Sequence, residues 1–420
     1  MKRIISIAAN TFYQFMSRVS TGAVTLLITP LLTSYLGLSA YGNYQMILGF
    51  VTLFWILTDF GLNAIVVKEM TKSEEKLQDY FSALLTLRLI NGVLVLVAAV
   101  LVMLFMPYPS IVKMGILIAS FTIFSQSLMG AGNALFQAKT RFENTFWATA
   151  LGSLFLLLST IVILRIKSGI LSLTIAYSLA YFLMAVVSLW LSRKWVRLAL
   201  DKTTTLLIPL LKRSLPFGIA LLFSLASFKI DSILLAITPL SHSLKNSDAV
   251  AIYSLPYRMF ELVLAVPTFL MNVLYPILIK KLQDGWGGFR QSVIQIFLAM
   301  SFISVLGIAV TWVLAPFLIN ILARTAGFSD SIIILRILIL SYPLFFFSSL
   351  LMWILMIFER QADLIWVYGA AFSFNLVANW ILIPRSFYWA ASWITVATEG
   401  LILTLLLLAL LRLRFVTTRS

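Results

Sequence analysis

Eight ionisable residues, Arg18, Asp59, Arg88, Lys229, Asp231, Arg258, Glu261 and Glu399, are embedded in long apolar stretches. A charge held at the middle of a bilayer costs about 2.5–3.5 kcal/mol on insertion scales, so its retention points to a partner, a wet cavity or a substrate. Arg258 and Glu261 are three apart, on one helical face, and an intrahelical pair accounts for them. Lys229 and Asp231 are two apart and point in different directions, which leaves at least one seeking a partner on another helix. The alternative is a cross-helix network joining Lys229 or Asp231 with Arg258, Glu261 and Arg18. At 1.5 Å per residue, Arg18 lies roughly 15 Å into its helix, Lys229 and Asp231 roughly 21–24 Å, and Arg258 and Glu261 roughly 14–18 Å, one central band. Lining a cavity between the halves, the three cations Arg18, Lys229 and Arg258 would draw an anionic group, and arginine suits bidentate phosphate contacts. Otherwise they clamp two bundles together.

Asp59 falls near the cytoplasmic end of its span and Arg88 in the cytoplasmic half of the next, so a gate or packing salt bridge is expected. Glu399 has no cation on its own span; it carries a coupling proton, faces a polar cavity, or is a structural acid hydrogen-bonded to Asn375 or Asn379. With no cysteine and one histidine, His242, thiol chemistry, disulfides and multi-histidine metal sites are excluded, and no cofactor is expected beyond a coupling ion, H+ or Na+.

These residues have to be positioned by membrane helices. The 420 residues are 61% hydrophobic and 11% charged, with a mean hydropathy of +1.02, which excludes soluble, secreted and disordered classes. Apolar runs predict twelve transmembrane helices near 8–33, 41–67, 79–106, 111–136, 145–165, 169–192, 214–238, 249–279, 289–318, 331–357, 363–383 and 388–411. The first run, behind Lys2 and Arg3, has no cleavage site and reads as a retained span, so the mature chain is expected to begin near Met1. Twenty Lys and Arg fall in one set of alternate connections and seven in the other, which predicts both termini in the cytoplasm. The net charge of +16 is thereby read as topology, with no nucleic-acid partner.

The expected architecture is an all-α polytopic membrane protein of two six-helix bundles, 1–192 and 214–420, joined by a cytoplasmic linker, 193–213. A shift of 209 positions aligns Ile28, Thr29, Pro30, Leu31, Ser34, Ala40 and Tyr44 with Ile237, Thr238, Pro239, Leu240, Ser243, Ala249 and Tyr253, which suggests parallel repeats about a pseudo-two-fold axis along the membrane normal. Trp147, Trp190, Trp195, Trp366 and Trp389 fit an interfacial belt. Phe345, Phe346 and Phe347 read as packing or lipid-facing residues, and Pro216, Pro256, Pro267, Pro276 and Pro343 as kinks. Connections of at most about twenty residues leave nowhere to fold a catalytic domain.

The chain resembles the polysaccharide transporter branch of the multidrug/oligosaccharidyl-lipid/polysaccharide flippase superfamily, the Wzx-type O-antigen translocases. The resemblance rests on Leu36-Gly37-Leu38-Ser39-Ala40-Tyr41-Gly42, Asp59-Phe60-Gly61-Leu62-Asn63, Gln137-Ala138-Lys139-Thr140-Arg141 and Arg213-Ser214-Leu215-Pro216 followed by Asp231. It continues in Ala251-Ile252-Tyr253-Ser254-Leu255-Pro256-Tyr257-Arg258 with Pro276, then Asn375-Leu376-Val377-Ala378-Asn379 with Leu382-Ile383-Pro384, and Glu399. Met16-Ser17-Arg18-Val19 with Gly22 resembles the first helix of the related peptidoglycan precursor flippases, whose arginine faces the cavity. Arg385-Ser386-Phe387-Tyr388-Trp389, ahead of Ala390-Ala391, departs from the glycines usual there and predicts a differently shaped turn.

The resemblance implies translocation of an undecaprenyl-diphosphate-linked oligosaccharide (O-antigen, capsule or exopolysaccharide repeat unit) to the outer leaflet of a bacterial inner membrane, by ion-driven alternating access. Arg18, Lys229 and Arg258 would hold the diphosphate, and Asp231, Glu261 and Glu399 would be coupling or cavity acids. Membrane lipid, a polysaccharide polymerase and chain-length machinery are the implied partners, and a monomer the implied state. A multidrug exporter of the same superfamily, a membrane polymerase or glycosyltransferase, and a non-transporting assembly partner stay open.

Overall fold

The computed structural model describes residues 2–201, 205–240 and 244–417. Lys202, His242, Ser243 and Arg419 lie outside the described residues, as do the side chains of Lys2, Arg3, Pro216, Pro276 and Arg414. Hydrocarbon offers no hydrogen bonds, so a spanning segment must satisfy its own backbone and becomes a helix. Among the described residues there are fourteen α-helices: α1 (Lys2–Asp59), α2 (Leu62–Lys72), α3 (Leu77–Phe105), α4 (Ser110–Ala119), α5 (Phe121–Ala138), α6 (Phe142–Arg165), α7 (Ile170–Ser192), α8 (Leu207–Ser227), α9 (Ile230–Ile237), α10 (Asn246–Asp284), α11 (Trp286–Leu322), α12 (Ser329–Leu338), α13 (Tyr342–Ile357) and α14 (Gln361–Thr417). Short 3-10 turns, Glu74–Lys76 and Ile339–Ser341, precede α3 and α13.

The fold is all-α. Among the described residues, nine stretches are long and apolar enough to cross a membrane, and two of these, Phe12–Lys72 and Ala362–Arg412, are 61 and 51 residues long. Each of the two holds a pair of expected crossings joined across a backbone break, at Gly37 (φ 69, ψ −178) and at Phe387 (φ 47, ψ −134). Gly37 adopts this conformation without cost because it has no Cβ. The expected helix 41–67 ends early, at Asp59, because Phe60 and Gly61 take φ of 40 and 75 before α2 begins. The seventh expected crossing is likewise divided, between α8 and α9 at Phe228–Lys229. Of the prolines expected as kinks, Pro256, Pro267 and Pro276 lie within an α10 that runs on without interruption, and Pro343 sits in the first turn of α13, where its missing N–H costs nothing.

Contacts group the chain into two compact units, Met1–Leu225 and Ala226–Ser420. In the first unit the core joins Leu62, Val66 and Met70 of α2 to Phe81 and Leu84 of α3, Leu135 of α5 and Leu210 of α8. The sequence divides the chain at residue 213, yet α8 stays with the first unit as far as Leu225. Two glycines meet there: a Cβ on Gly218 would lie 2.5 Å from the Phe60 carbonyl oxygen, and one on Gly61 2.8 Å from that of Ser214. The expected linker is pinned to α3, with the Arg197 N–H donating to Gln78 Oε1 at 2.8 Å and Gln78 Nε2 donating to the Arg197 carbonyl at 3.0 Å. Its last residues, from Leu207, are already helix.

In the second unit Met271, Leu278, Phe289, Ile296, Phe346, Leu350 and Ile354 join α10, α11 and α13, and Leu355, Leu364, Ala371, Ile402 and Leu406 join α13 to α14. Phe346 is buried, Phe347 stacks on Phe297 with centroids 4.6 Å apart and Phe345 packs on Phe228, so the phenylalanine run is packing. Trp147, Trp190 and Trp366 are exposed. Trp195 and Trp389 are half-buried.

Gly218→Leu is expected to lower the melting temperature of detergent-purified protein by several degrees, since overpacking against backbone costs about 1–3 kcal/mol. Gly169→Ala, where a Cβ meets nothing within 4 Å, should melt as wild type; equal melting of both variants would refute the close approach at Phe60.

Candidate functional site

In the first unit, the break after α1 frees the carbonyls of Leu57 and Thr58 from the helix. Arg88 and Asn91, one turn apart on α3, occupy them. Arg88 Nη1 donates to the Thr58 carbonyl at 2.7 Å, and Asn91 Nδ2 lies 2.9 and 3.0 Å from the Leu57 and Thr58 carbonyls. Arg88 Nη2 donates to the Asp59 carboxylate and, at 2.6 Å, to Asn63 Oδ1. The Arg88 side chain is 1% exposed and Asp59 is 35% exposed. Gly130 permits this packing, because a Cβ there would sit 3.0 Å from Arg88 Cζ. Asp59 and Arg88 are thus brought together, and what they hold is a helix terminus. Arg18, on α1 beside the buried Ser17, is exposed.

In the second unit, Tyr253, Tyr257 and Glu261 recur every four residues and form one stripe along α10. Tyr253 Oη donates to Asp231 Oδ2 at 2.9 Å, and Thr395 Oγ1 and Asn379 Nδ2, both on α14, donate to Oδ2 and Oδ1 at 2.8 Å. Asp231 is 1% exposed, and the groups reaching it in these bonds are all neutral. Asn379 Nδ2 also lies 3.1 Å from Asn375 Oδ1, and Asn375 Nδ2 donates to Thr398 Oγ1 at 3.1 Å. The Tyr257 hydroxyl donates at 2.7 Å to the carbonyl of Phe228, the acceptor freed where α8 stops. Lys229 follows in the break, pairs with the Glu261 carboxylate and has its Nζ 5.9 Å from the Tyr257 ring centroid.

The geometry differs from the expected network in two respects. Glu261 takes Lys229 across helices as an ion-pair partner, where a pair with Arg258 on its own helix accounts equally well for its sequence spacing. Asp231, expected among cations, is held by hydroxyl and amide donors instead. Arg258 is half-buried. Glu399 is buried and its Oε2 has no hydrogen-bond partner among the described residues; Asn375 and Asn379, its expected partners, turn to Thr398 and Asp231. Sequence reasoning missed Tyr253, Tyr257 and Thr395 around Asp231, and Asn63 and Asn91 around Arg88. The available signal was polar residues repeating at helical spacing inside apolar runs, such as Thr395, Thr398 and Glu399.

Solved structures similar to this chain include an inward-facing multidrug resistance MATE family transporter of the MOP superfamily, at 14% identity and TM-score 0.76 over 97% of this chain and 96% of that one. The lipid II flippase MurJ, in an inward closed conformation, matches at 16% identity and TM-score 0.75 over 96% and 87%. A MOP superfamily transporter from Pyrococcus furiosus matches at 13% and 0.66 over 99% and 96%. No curated protein matches the sequence. The chain is therefore a multi-pass membrane protein with the fold of the MOP superfamily transporters. The sequence pattern of the family described as polysaccharide biosynthesis protein matches residues 7–281, well over half the chain, and the protein belongs to that family.

Asp59→Asn should be strongly destabilising, by about 3–5 kcal/mol, because it strands a buried guanidinium. The double variant Asp59→Asn/Arg88→Met should melt closer to wild type than the two single losses sum to; simple additivity in thermal melting would refute the clamp.

Proposed function

We propose that this protein is a flippase that carries an undecaprenyl-diphosphate-linked oligosaccharide, a repeat unit of O-antigen, capsule or exopolysaccharide, to the outer leaflet of the bacterial inner membrane by ion-coupled alternating access. The observation that carries this reading is that a member of the polysaccharide biosynthesis family has a transporter fold over 97% of its length. Its likeness to a lipid II flippase favours a lipid-linked cargo. The excess of Lys and Arg in one set of connections favours cytoplasmic termini.

A diphosphate does not enter hydrocarbon unaided, so the protein must supply cations while the lipid tail stays in the bilayer. Lys229 and Arg258 in the second unit, and Arg18 on α1, are assigned this role. The coupling ion is a second cargo, and Asp231 suits it. The carboxylate already gathers oxygen-bearing neutral groups, and the nearby Asn379 Oδ1 is buried without a hydrogen-bond partner among the described residues. Rotation of the Tyr253 and Thr395 hydroxyls would turn donors into ligands for H+ or Na+. The protein acts as a carrier, passing its product to a polymerase and chain-length machinery.

Deleting the gene should accumulate undecaprenyl-diphosphate-linked oligosaccharide and abolish surface glycan, both read by mass spectrometry of lipid extracts and gel analysis of polysaccharide. Normal glycan with hypersensitivity to cationic dyes would replace the reading with drug export. Asp231→Asn should remove ion-driven transport in proteoliposomes. Alanine at Arg18, Lys229 or Arg258 should reduce glycan output with membrane insertion intact, and unchanged output from all three would refute their role.

A further inference from the structure

The Lys229–Glu261 pair differs in kind from the other charges of its unit. Asp231, two residues along, is 1% exposed, whereas the Lys229 and Glu261 side chains are 30% and 37% exposed. Lys229 stands in the break between α8 and α9, and this break is tied to α10 by the Tyr257 hydroxyl on the Phe228 carbonyl. Glu261 lies one turn beyond Tyr257 on the same helix, so the ammonium is held between an aromatic face and a carboxylate. A part-exposed pair of this kind leaves each charge open to a second partner. A phosphate offers more acceptor oxygens and a greater charge than a carboxylate, so it is the stronger partner for the same ammonium.

We propose that Glu261 is a built-in counter-anion, which a diphosphate displaces from Lys229, and that the released carboxylate takes up a proton. This rests on the flippase reading. Before binding, the pair is neutral. Afterwards, Lys229 serves the diphosphate, and an ionised Glu261 would face a like charge at short range, which favours its protonated form. A hydronium ion of the solvent gives its proton to the Glu261 carboxylate, so that one O–H bond breaks in hydronium, leaving water, as the new one forms, and no bond breaks in the protein. Cargo binding is thereby exchanged for proton uptake at one pair of side chains.

The ionisable groups nearest Glu261 are consistent with this. Tyr253, Tyr257 and Arg258 share its helix, and Lys229 comes from the break. Asp231 on α9 accepts from Tyr253 of α10, and as an acid it cannot replace Lys229 as a counter-charge. Arg258, the further cation among these groups, is itself assigned to the diphosphate, so cargo binding engages both cations that could face the carboxylate.

The test uses the full-length protein in detergent, titrated calorimetrically with inorganic pyrophosphate and with geranyl diphosphate, in two buffers of different ionisation enthalpy at one pH. Wild type should bind with net proton uptake. Glu261→Gln should bind roughly tenfold tighter, the gain expected from removing an internal competitor, with that uptake lost. Lys229→Ala should bind at least tenfold more weakly, and Lys229→Arg should restore both binding and uptake. Tighter binding of the prenylated probe assigns the site to a lipid headgroup, equal binding assigns it to a free diphosphate, and either supports the exchange. Unchanged affinity or unchanged proton uptake in Glu261→Gln overturns it, as does failure of both probes to bind wild type and Glu261→Gln alike. In each of those cases the glycan phenotype of the gene deletion judges the flippase reading separately.

Discussion

An unwound helix turn within a membrane span leaves backbone carbonyls with no water to receive, and the rest of this structure follows from how those carbonyls are satisfied. At the end of α1, Arg88 and Asn91 of α3 cover the Leu57 and Thr58 carbonyls. At the end of α8, Tyr257 of α10 covers the Phe228 carbonyl. A break in one helix therefore requires a polar side chain on another, and that side chain brings further polar groups with it.

The two breaks carry different consequences. Around Arg88 the guanidinium is buried, with Nη1 and Nη2 directed at Thr58, Asp59 and Asn63 and Nε without a hydrogen-bond partner among the described residues. Such an arrangement holds geometry and leaves little capacity for a ligand. Around Lys229 the cation is part-exposed and its partner is a flexible carboxylate. The same type of charge is thus committed in one place and available in the other, with burial as the deciding difference.

The acids of the second unit divide in the same way. Asp231 is met by neutral donors from α10 and α14, so its hydrogen bonds join three helices. Glu261 is paired instead with the Lys229 ammonium, from the break. Asp231 lies three residues beyond Phe228 on the chain, whereas Glu261 on α10 reaches the same break only through its pair with Lys229.

Hydropathy alone determined the class of this protein, because a span must be apolar for its full length whatever it packs against; this made the multi-pass, all-α fold and the embedded charges legible. The motif around Asp59-Phe60-Gly61 and the mid-span Arg88 were legible for the same reason, and so was their proximity as neighbours in sequence order. Partner choice was not. Nothing in the spacing of Arg258, Glu261, Lys229 and Asp231 distinguishes a pair on one helix from a pair across two, since both satisfy charge equally on paper. Tertiary structure decided it by rotating Glu261 toward the break and Asp231 toward Tyr253, Asn379 and Thr395, residues between 22 and 164 positions distant in the chain. Helix rotation is set by the packing of whole apolar faces, a property spread over many side chains and therefore invisible in any one motif.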